Sequence, residues 1–429
     1  MRYYSTNLKS PEVSLKEAVL RGLAPDNGLY MPKYISQLPV EFFKKLPDLS
    51  LPEIGLEVTK LLFEDEIDDN TLREINQDAL NIEIPLISLN DRLKVLELFH
   101  GPTCAFKDVG GRFIARLMAH LTRGENKEIN VLTATSGDTG SAVASGFYNV
   151  EGINVFILYP KGKVSHIQEQ QLTTYGGNIT AIEIDGTFDD CQKIVKTAFL
   201  DKELNEKLTL TSANSINLAR FLPQSFYYFS ALGKLGNDPR EVVMAVPSGN
   251  FGNLTAGIIA KKMGLPIKRF IAATNVNDVV PEYLDEGAFN PRPSIKTIAN
   301  AMDVGNPSNF ARMLDLFENS HEEMSAEIEG YRLNDEGIKS YMKEIYANFN
   351  YVADPHGAVG YGALKELLKE NETGIFFETA HPAKFKDVVE DALKIDLEIP
   401  ERLKVFLNKE KNAHNLSTNF NEFKSFLLD

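Results

Sequence analysis

The stretch INVLTATSGDTGSAVASGFYN, residues 129–149, contains one full repeat of a recognisable fold class. Its first seven residues are apolar or β-branched almost without interruption, which predicts a strand buried on both faces. Residues 136–140 then supply Ser, Gly, Asp, Thr and Gly, the residue types of a turn that starts a helix. The segment SAVASGFYN follows and predicts that helix. A buried strand that enters a helix through a tight turn is the repeating unit of parallel α/β folds.

Further apolar runs repeat this pattern along the chain. Each run is short and nearly continuous in Val, Ile, Leu, Ala or Phe, and each lies between helical stretches. They occupy residues 153–159, 179–184, 242–246, 270–274 and 374–378. Such strands are typical of parallel sheets that helices cover on both faces. They fall into two groups, so we expect two lobes with a ligand cleft at the carboxyl ends of their strands.

The predicted fold class is therefore α/β, with two parallel-sheet lobes, a cleft between them and an additional N-terminal lobe. The first part of the chain lacks the strand–helix repeat and carries the turn-rich segment APDNGLYMP. We expect an N-terminal lobe at residues 1–90 and a helical C-terminal tail at 391–429. The first α/β lobe is expected at residues 91–235 and the second at 236–390.

Composition narrows the classes of partner. The chain has 429 residues, of which 43% are hydrophobic, enough for several buried cores. Its formal net charge of −15 argues against nucleic acids and anionic membranes as partners. Two cysteines, with neither a signal-like N-terminus nor a membrane-length apolar run, indicate a cytoplasmic protein. The histidines show no ligand spacing, so no metal site is expected.

The segment HGPTCAFKD, residues 100–108, places a lysine in a sequence context that is unusual for a solvent-exposed side chain. Lys107 follows three uncharged residues and precedes a single acid, and we expect the chain to turn at Gly110 and Gly111. Two interpretations stay open. Lys107 is an ordinary residue where a loop enters a helix, or it is a desolvated amine that acts as a nucleophile.

Two glycine-containing loops follow predicted strands and precede predicted helices. SGNFGN, residues 248–253, combines backbone N–H groups with a helix start, as a phosphate site requires, although an ordinary turn fits equally well. TSGDTG, residues 135–140, adds three hydroxyls that suit a carboxylate. On its own, this second loop is explained better by helix capping through Ser136, Asp138 or Thr139.

Two polar segments complete the set. TSANSINLAR, residues 211–220, contains an arginine that can clamp a phosphate, or that can lie on the surface of a capped helix. ETAHPAKF, residues 378–385, ends a strand in a threonine hydroxyl, which can again be a cap. A nucleophilic lysine, a phosphate cradle, a carboxylate cradle and a strand-end hydroxyl are together the parts that pyridoxal phosphate needs.

With these motifs in place, the chain resembles the threonine synthase family of fold type II pyridoxal-phosphate enzymes, the group that includes tryptophan synthase β. The resemblance is carried by RGLAPDNGLYMP, HGPTCAFKD, TATSGDTGSAVA, VPSGNFGNLTAG, ADPHGAVGY and TAHPAKF, and it runs over essentially the whole chain. It implies pyridoxal 5'-phosphate as the cofactor and the small molecule O-phospho-L-homoserine as the substrate. It also implies a monomer or a small homo-oligomer.

The resemblance implies a role for each motif. Lys107 would be the catalytic residue and would bind the cofactor covalently, and Thr379 would meet the pyridine nitrogen. Fold type II enzymes usually carry asparagine in place of Asp138, so we expect Asp138 to cap its own helix. The cofactor phosphate would be held by Gly249, Asn250, Phe251, Gly252 and Asn253. The substrate would be held by Thr135, Ser136, Gly137, Asp138 and Thr139 at its carboxylate and by Asn214, Ser215 and Arg220 at its phosphate.

The implied reaction converts O-phospho-L-homoserine and water to L-threonine and phosphate, the last step of threonine biosynthesis. Phosphate leaves by γ-elimination, and water then adds at the β-carbon. Another fold type II enzyme, such as a serine or threonine dehydratase, shares the lysine and the cradle but needs no second phosphate site. A protein that only binds a phosphorylated metabolite is the alternative from a different class, and the intact Lys107 argues against it.

Overall fold

The computed structural model describes residues 1–124, 127–236 and 238–429. Within these residues the strands form three sheets. In chain order the strands are β1 (Tyr3–Ser5), β2 (Tyr30–Pro32), β3 (Leu86–Ser88), β4 (Leu93–Glu97), β5 (Ile129–Ala134), β6 (Ile153–Pro160), β7 (Ile179–Ile184), β8 (Thr209–Ser212), β9 (Glu241–Pro247), β10 (Arg269–Thr274), β11 (Ile328–Arg332), β12 (Glu372–Glu378) and β13 (His414–Leu416).

Helices make up most of the remaining described chain, and none of them is both long and apolar enough to cross a membrane. The α-helices are α1 (Leu15–Arg21), α2 (Val40–Lys45), α3 (Leu51–Phe63), α4 (Asp69–Ala79), α5 (Lys107–Leu121), α6 (Asp138–Phe147), α7 (His166–Thr173), α8 (Phe188–Leu200), α9 (Lys202–Lys207), α10 (Leu218–Phe221), α11 (Phe226–Leu235), α12 (Gly252–Lys262), α13 (Val279–Glu286), α14 (Phe310–Leu316), α15 (His321–Glu327), α16 (Asp335–Phe349), α17 (Pro355–Leu367), α18 (Lys386–Leu393), α19 (Glu401–Leu407) and α20 (Phe420–Leu428). Short 3-10 helices span Leu46–Asp48, Glu64–Glu66, Leu222–Ser225, Asn300–Met302 and Pro382–Phe385.

Two of the sheets are large and almost entirely parallel. The five-stranded sheet has the order β13–β7–β6–β5–β8, and every neighbouring pair in it is parallel. The six-stranded sheet has the order β11–β10–β9–β12–β4–β3, with an antiparallel pair at the β3 edge. The predicted α/β class with two parallel sheets is therefore confirmed.

The six predicted strands are all present, as β5, β6, β7, β9, β10 and β12. Strands β4, β8 and β11 were not predicted, because their sequences LKVLE, TLTS and IEGYR are short and interrupted by charged or hydroxyl residues. Strand β4 falls in the range expected for the first lobe but pairs with β12 of the other sheet. Strand β13 comes from the tail expected to be helical and pairs with β7. The chain therefore ties the two sheets together by crossing between them.

The N-terminal region packs into the same apolar core as the five-stranded sheet. Its buried residues Tyr3 and Phe63 belong to the hydrophobic cluster that also contains residues of α5, α11 and α12. Helix α1 contacts β8 and the segment that follows it: the carbonyl oxygen of Val19 accepts hydrogen bonds from Thr211 Oγ1 (3.2 Å) and Asn217 Nδ2 (2.8 Å). The N-terminal region thereby supports a segment that the sequence had marked as a candidate binding site.

Gly110 and Gly111 lie inside helix α5, so the prediction of a turn at these residues is wrong. The glycines serve close packing instead. A Cβ on Gly110 would lie 2.5 Å from the carbonyl oxygen of Arg220, and a Cβ on Gly111 would lie 2.6 Å from that of Ala142. The missing side chains therefore allow α6 and the segment around Arg220 to lie directly against α5.

Replacing Gly111 with alanine is expected to lower the free energy of unfolding by about 1–3 kcal/mol, although alanine is the better helix former, because the new methyl group overlaps the backbone of α6. Urea unfolding followed by circular dichroism measures this change. Gly124→Ala is the control: Gly124 has a φ of 81°, and no described atom lies within 4 Å of its Cβ position. That variant should lose only about 1 kcal/mol through its backbone conformation. A Gly111→Ala protein as stable as the parent would contradict the tight contact between α5 and α6.

Candidate active site

A cavity is lined by residues that follow the carboxyl ends of β5, β8, β9 and β12. Parallel α/β sheets bind their ligands at this end. The cavity brings together most of the predicted site residues from segments that are far apart in the chain. In the described chain, Gly137 and Asp138 are not among its lining residues. The predicted residues that do line it are Lys107, Thr135, Ser136, Thr139, Asn214, Ser215, Arg220, Gly249, Asn250, Phe251, Gly252, Asn253 and Thr379.

Backbone hydrogen bonds hold the HGPTCAFKD segment against the TAHPAKF segment. The N–H of Phe106 donates to the carbonyl oxygen of Thr379 (2.8 Å), and the N–H of His381 donates to that of Cys104 (3.0 Å). Lys107 is the next residue along the first segment. The pairing therefore fixes the lysine relative to the hydroxyl-bearing residue that follows β12.

The Lys107 amine lies in a desolvated setting at the start of α5. Burial is the main cause that lowers the pKa of Lys107 to about 8. The negative charge of Asp138 opposes this shift, whereas the positive charges of Arg220 and Lys384 add to it. A substantial fraction of neutral amine near neutral pH is what a nucleophile or a general base requires. The setting agrees with the second interpretation of Lys107, a desolvated amine.

Residues 249–253 form a loop that is built to bind an anion. Helix α12 begins at Gly252, and the preceding Phe251 has a left-handed backbone (φ 60°), which a bulky residue rarely adopts. In the described chain, the backbone N–H groups of residues 249–253 have no protein acceptor. A Cβ on Gly249 would lie 2.5 Å from the carbonyl oxygen of Ala301, so only glycine fits there. Unpaired N–H groups at a helix start attract a phosphate.

These features fit pyridoxal phosphate as a group. The N–H groups of residues 249–253 suit its phosphate, the neutral amine of Lys107 suits its aldehyde, and the Thr379 hydroxyl suits its ring nitrogen. Among residues 1–124, 127–236 and 238–429, no group of three or more His, Cys, Asp or Glu side chains could hold a metal ion.

The Thr135 hydroxyl organises the loop between β5 and α6. Its oxygen accepts hydrogen bonds from the N–H groups of Gly137 (2.9 Å) and Gly140 (2.8 Å). The expectation that Asp138 caps its own helix is wrong, since the N-cap of α6 is Gly137 and makes no side-chain cap bond. The Asp138 carboxylate instead lies 2.7 Å from Lys384 Nζ. A buried carboxylate gains more from a cation than from a cap, because burial without a counter-charge is strongly unfavourable.

The Arg220 guanidinium faces the cavity without an acidic partner. Its residue is 3% exposed, and Nη1 donates to the carbonyl oxygen of Lys107 at 2.5 Å. No carboxylate of the described chain lies within ion-pair distance of it. Burial lowers the pKa of Arg220 to about 10. A buried cation that lacks a counter-ion is a place where an anionic ligand is stabilised.

Asn214 and Ser215 connect the segment after β8 to the neighbouring loops. The Asn214 Nδ2 group donates to the carbonyl oxygen of Ala134 (2.9 Å). The Ser215 hydroxyl oxygen accepts from Asn250 Nδ2 (2.8 Å) and from Asn309 Nδ2 (2.9 Å). The segment after β8 and the loop after β9 therefore share one hydrogen-bond network.

His356 and Asn309 are among the residues of this site that sequence reasoning missed. His356 lines the cavity, and its Nδ1 lies 3.0 Å from Asp354 Oδ1 while its Nε2 accepts from the N–H of Ala301 (3.2 Å). These contacts assign the ring hydrogen to Nδ1. The motif ADPHGAVGY offered a signal for His356, a histidine at a helix start. Asn309 carried no signal, because its role depends on where Ser215 and Asn250 come together.

Three family models match the chain. The model described as "Pyridoxal-phosphate dependent enzyme" matches residues 84–375, "Threonine synthase N terminus" matches residues 2–80, and "Threonine synthase, C-terminal" matches residues 357–427. Curated relatives agree with them. The threonine synthase of Haemophilus influenzae is 45% identical over 98% of this chain and 99% of its own length. That of Escherichia coli is 41% identical over 100% of both chains.

Solved structures of threonine synthases share the whole architecture. The crystal structure of the Escherichia coli protein superimposes with a TM-score of 0.95 at 41% identity, covering 100% of this chain and 99% of that one. The structure described as pyridoxal-phosphate-bound threonine synthase from Brucella melitensis gives a TM-score of 0.92 at 33% identity, covering 100% and 98%. The similarity therefore extends over the N-terminal region as well as both sheets.

We expect the Lys107 amine of the cofactor-free protein to titrate near pH 8, because burial disfavours its charged form. The rate at which a small acylating reagent modifies Lys107, followed by peptide mass spectrometry, should reach half of its plateau near that pH. The exposed Lys163 in the same sample reports how the reagent itself depends on pH. Half-plateau above about pH 10 is the behaviour of a solvated lysine and would contradict the desolvated setting.

Proposed function

The chain belongs to the threonine synthase family of pyridoxal-phosphate-dependent enzymes, and we propose that it converts O-phospho-L-homoserine and water to L-threonine and phosphate. It is a pyridoxal-phosphate-dependent lyase of amino-acid biosynthesis. Its two free and buried cysteines suit the reducing cytoplasm, which we propose as its location.

The observation that carries this substrate is the presence of two places for a phosphate in one cavity, in addition to the loop that suits a carboxylate. The loop of residues 249–253 suits the phosphate of the cofactor, and Arg220 is a buried cation without an ion-pair partner in the described chain. A serine or threonine dehydratase needs only the first of these places. The likeness to the threonine deaminase of Solanum lycopersicum, at 18% identity, extends to the fold alone. A substrate with its own phosphate accounts for both places.

Lys107, residues 249–253 and Thr379 would hold the cofactor at its aldehyde carbon, its phosphate and its ring nitrogen. Bound pyridoxal phosphate draws electrons from the bonds at the substrate's Cα, which makes the Cα and Cβ protons acidic. The Thr379 hydroxyl carries no charge, so it favours a protonated ring nitrogen only weakly. This weak contact should limit transamination as a side reaction.

Lys107 is the residue that would move protons during the reaction. It is the only amine among the lining residues in the described chain, and its lowered pKa of about 8 increases the fraction of the neutral amine, the form that acts as a base. It would remove the Cα proton and then a Cβ proton, so that phosphate can leave from Cγ. A proton returned to Cγ, a hydroxyl from water added at Cβ and a proton returned to Cα complete the change to threonine, while the proton of that water goes to the released phosphate.

The two polar loops would hold the ends of the substrate. Ser136, Thr139 and the N–H groups at the start of α6 suit its carboxylate. Asn214 and Arg220 suit its phosphate, and the guanidinium would stabilise the charge that this group carries as it leaves.

Protein loaded with pyridoxal phosphate should release phosphate and threonine from O-phosphohomoserine in equal amounts, measured by a molybdate assay and by chromatography. The rate of phosphate release should be about a hundredfold to ten-thousandfold lower in the Lys107→Ala variant, because this variant lacks the base. Serine serves as the discriminating substrate. Fast ammonia release from serine without phosphate chemistry would support a dehydratase, and full activity of Lys107→Ala would exclude this lysine from catalysis.

The Arg220→Gln variant should lose about 2–4 kcal/mol of transition-state stabilisation, which is about 30-fold to 1,000-fold in kcat/KM, because it removes the charge opposite the leaving phosphate. Steady-state kinetics with O-phosphohomoserine measure this loss. Arg123→Gln, at an exposed arginine, is the matched control and should leave kcat/KM unchanged. Binding of threonine, which has no phosphate, should change little in Arg220→Gln. An equal loss for threonine binding would argue that Arg220 only supports the fold.

A further inference from the structure

A buried ion pair joins the two sheets next to the cavity. Asp138 begins α6, which follows β5 of the five-stranded sheet. Lys384 lies in the 3-10 helix Pro382–Phe385, which follows β12 of the six-stranded sheet. The Lys384 Nζ lies 2.7 Å from Asp138 Oδ1, and the two side chains are 0% and 4% exposed.

Neutral groups complete the environment of this pair. The Asp138 carboxylate also accepts from Gln168 Nε2 (2.9 Å), and the Lys384 ammonium also donates to the carbonyl oxygen of Thr103 (3.0 Å). Amide and carbonyl groups orient the two charges but cannot neutralise them. Lys384 is therefore the counter-ion that makes an ionised carboxylate tolerable at this buried position.

Lys107 is the other lysine whose charge acts on Asp138, and it lines the same cavity as Ser136 and Thr139, which lie on either side of Asp138 in the chain. Burial by itself raises the pKa of Asp138, and the charges of Lys384 and then of Lys107 are the main causes that hold it well below its usual range. If Lys384 lost its charge, Lys107 would be the remaining lysine whose charge acts on this carboxylate. A carboxylate beside an amine stabilises the ammonium form, and an ammonium can act neither as a nucleophile nor as a base.

We propose that Lys384 is a positioning residue for Lys107: by pairing with Asp138 it keeps this carboxylate from pairing with Lys107, so that the Lys107 amine can lose its proton and bond to the cofactor. The proposal rests on the proposed function, since it assumes that Lys107 carries the cofactor. The charged groups that face Lys107 are Asp138, Arg220 and Lys384. Asp138 is the one that favours the ammonium form, and it raises the pKa of Lys107, whereas Arg220 and Lys384 lower it.

The test compares the parent protein with the variants Lys384→Met, Lys384→Arg, Asp138→Asn and the double variant Asp138→Asn/Lys384→Met. Two rates at Lys107 are measured against pH in cofactor-free protein. One is covalent attachment of added pyridoxal phosphate, followed by visible absorbance and by borohydride fixation with peptide mass spectrometry. The other is acylation of Lys107 by the small reagent described above, which needs no cofactor.

In Lys384→Met, both pH midpoints should rise by about one to three pH units, so that the rates near pH 7.5 fall about tenfold or more. Lys384→Arg keeps the cation and should restore the parent profile. The double variant removes both charges and should return the midpoint close to that of the parent. Asp138→Asn alone should lower the midpoint, because it removes the charge that favours the ammonium form.

Several outcomes would overturn the proposal. An unchanged midpoint in folded Lys384→Met means that the ion pair only clamps the two sheets, a role that thermal stability alone would report. An equal rise in Lys384→Met and in the double variant means that Asp138 is not responsible. If Lys384→Met does not fold, the Asp138→Asn variant provides the test. A pH midpoint for Lys107 that is not lower in Asp138→Asn than in the parent would then contradict the proposal. Parent protein that is acylated near pH 8 but forms no fixed adduct with pyridoxal phosphate would instead refute the proposed function.

Discussion

The site depends on one short stretch of backbone pairing between segments from opposite ends of the α/β region. Ala105 and Ala380 form an antiparallel bridge, and flanking N–H···O bonds extend it on both sides. Backbone pairing fixes direction as well as position, so it determines where Lys107 leaves the first segment and where Lys384 lies on the second. Thr379 sits within the bridge itself. The groups that would hold the aldehyde and the ring nitrogen of one cofactor are therefore placed by the same hydrogen bonds, between two segments that follow the neighbouring strands β4 and β12.

A chain with a net charge of −15 must build an anion site locally. It does so with buried cations whose partners are carbonyl oxygens in place of carboxylates. Arg312 illustrates this beside Arg220: its guanidinium donates to the carbonyl oxygens of Tyr30 (3.2 Å), Ser215 (2.7 Å) and Ile216 (2.7 Å). Burial lowers the pKa of Arg312 to about 9, yet the group is positively charged at neutral pH. Carbonyl dipoles orient a guanidinium without cancelling its charge, so the positive potential stays available to phosphate groups.

The sequence allowed prediction where a local pattern is sufficient. Residues 129–149 contain the strand, the turn and the helix in order, and three of the candidate loops follow directly after predicted strands. The roles of Lys107, Asn214, Ser215 and Arg220 came from the family resemblance, because no predicted strand precedes their segments. Long-range contacts could not be read in the same way. Asp138 has the local pattern of a cap, and only folding brings Lys384 to it. Gly110 and Gly111 have the local pattern of a turn. Glycine is needed at these positions because segments from elsewhere in the chain pack directly against α5.

The environment of Glu378, the residue before Thr379, is also set by a residue that is distant in the chain. Its carboxyl is fully buried: Oε1 accepts from the N–H of Asp354, and Oε2 has no hydrogen-bond partner in the described chain. Burial, followed by the charge of Asp354, raises the pKa of Glu378 and favours its neutral form. An ionised carboxylate directly behind Thr379 would favour a protonated ring nitrogen and would undo the weak contact that a hydroxyl provides. Asp138 is paired with a lysine, and burial favours the neutral form of Glu378, so in both cases the structure reduces the negative charge beside the cavity.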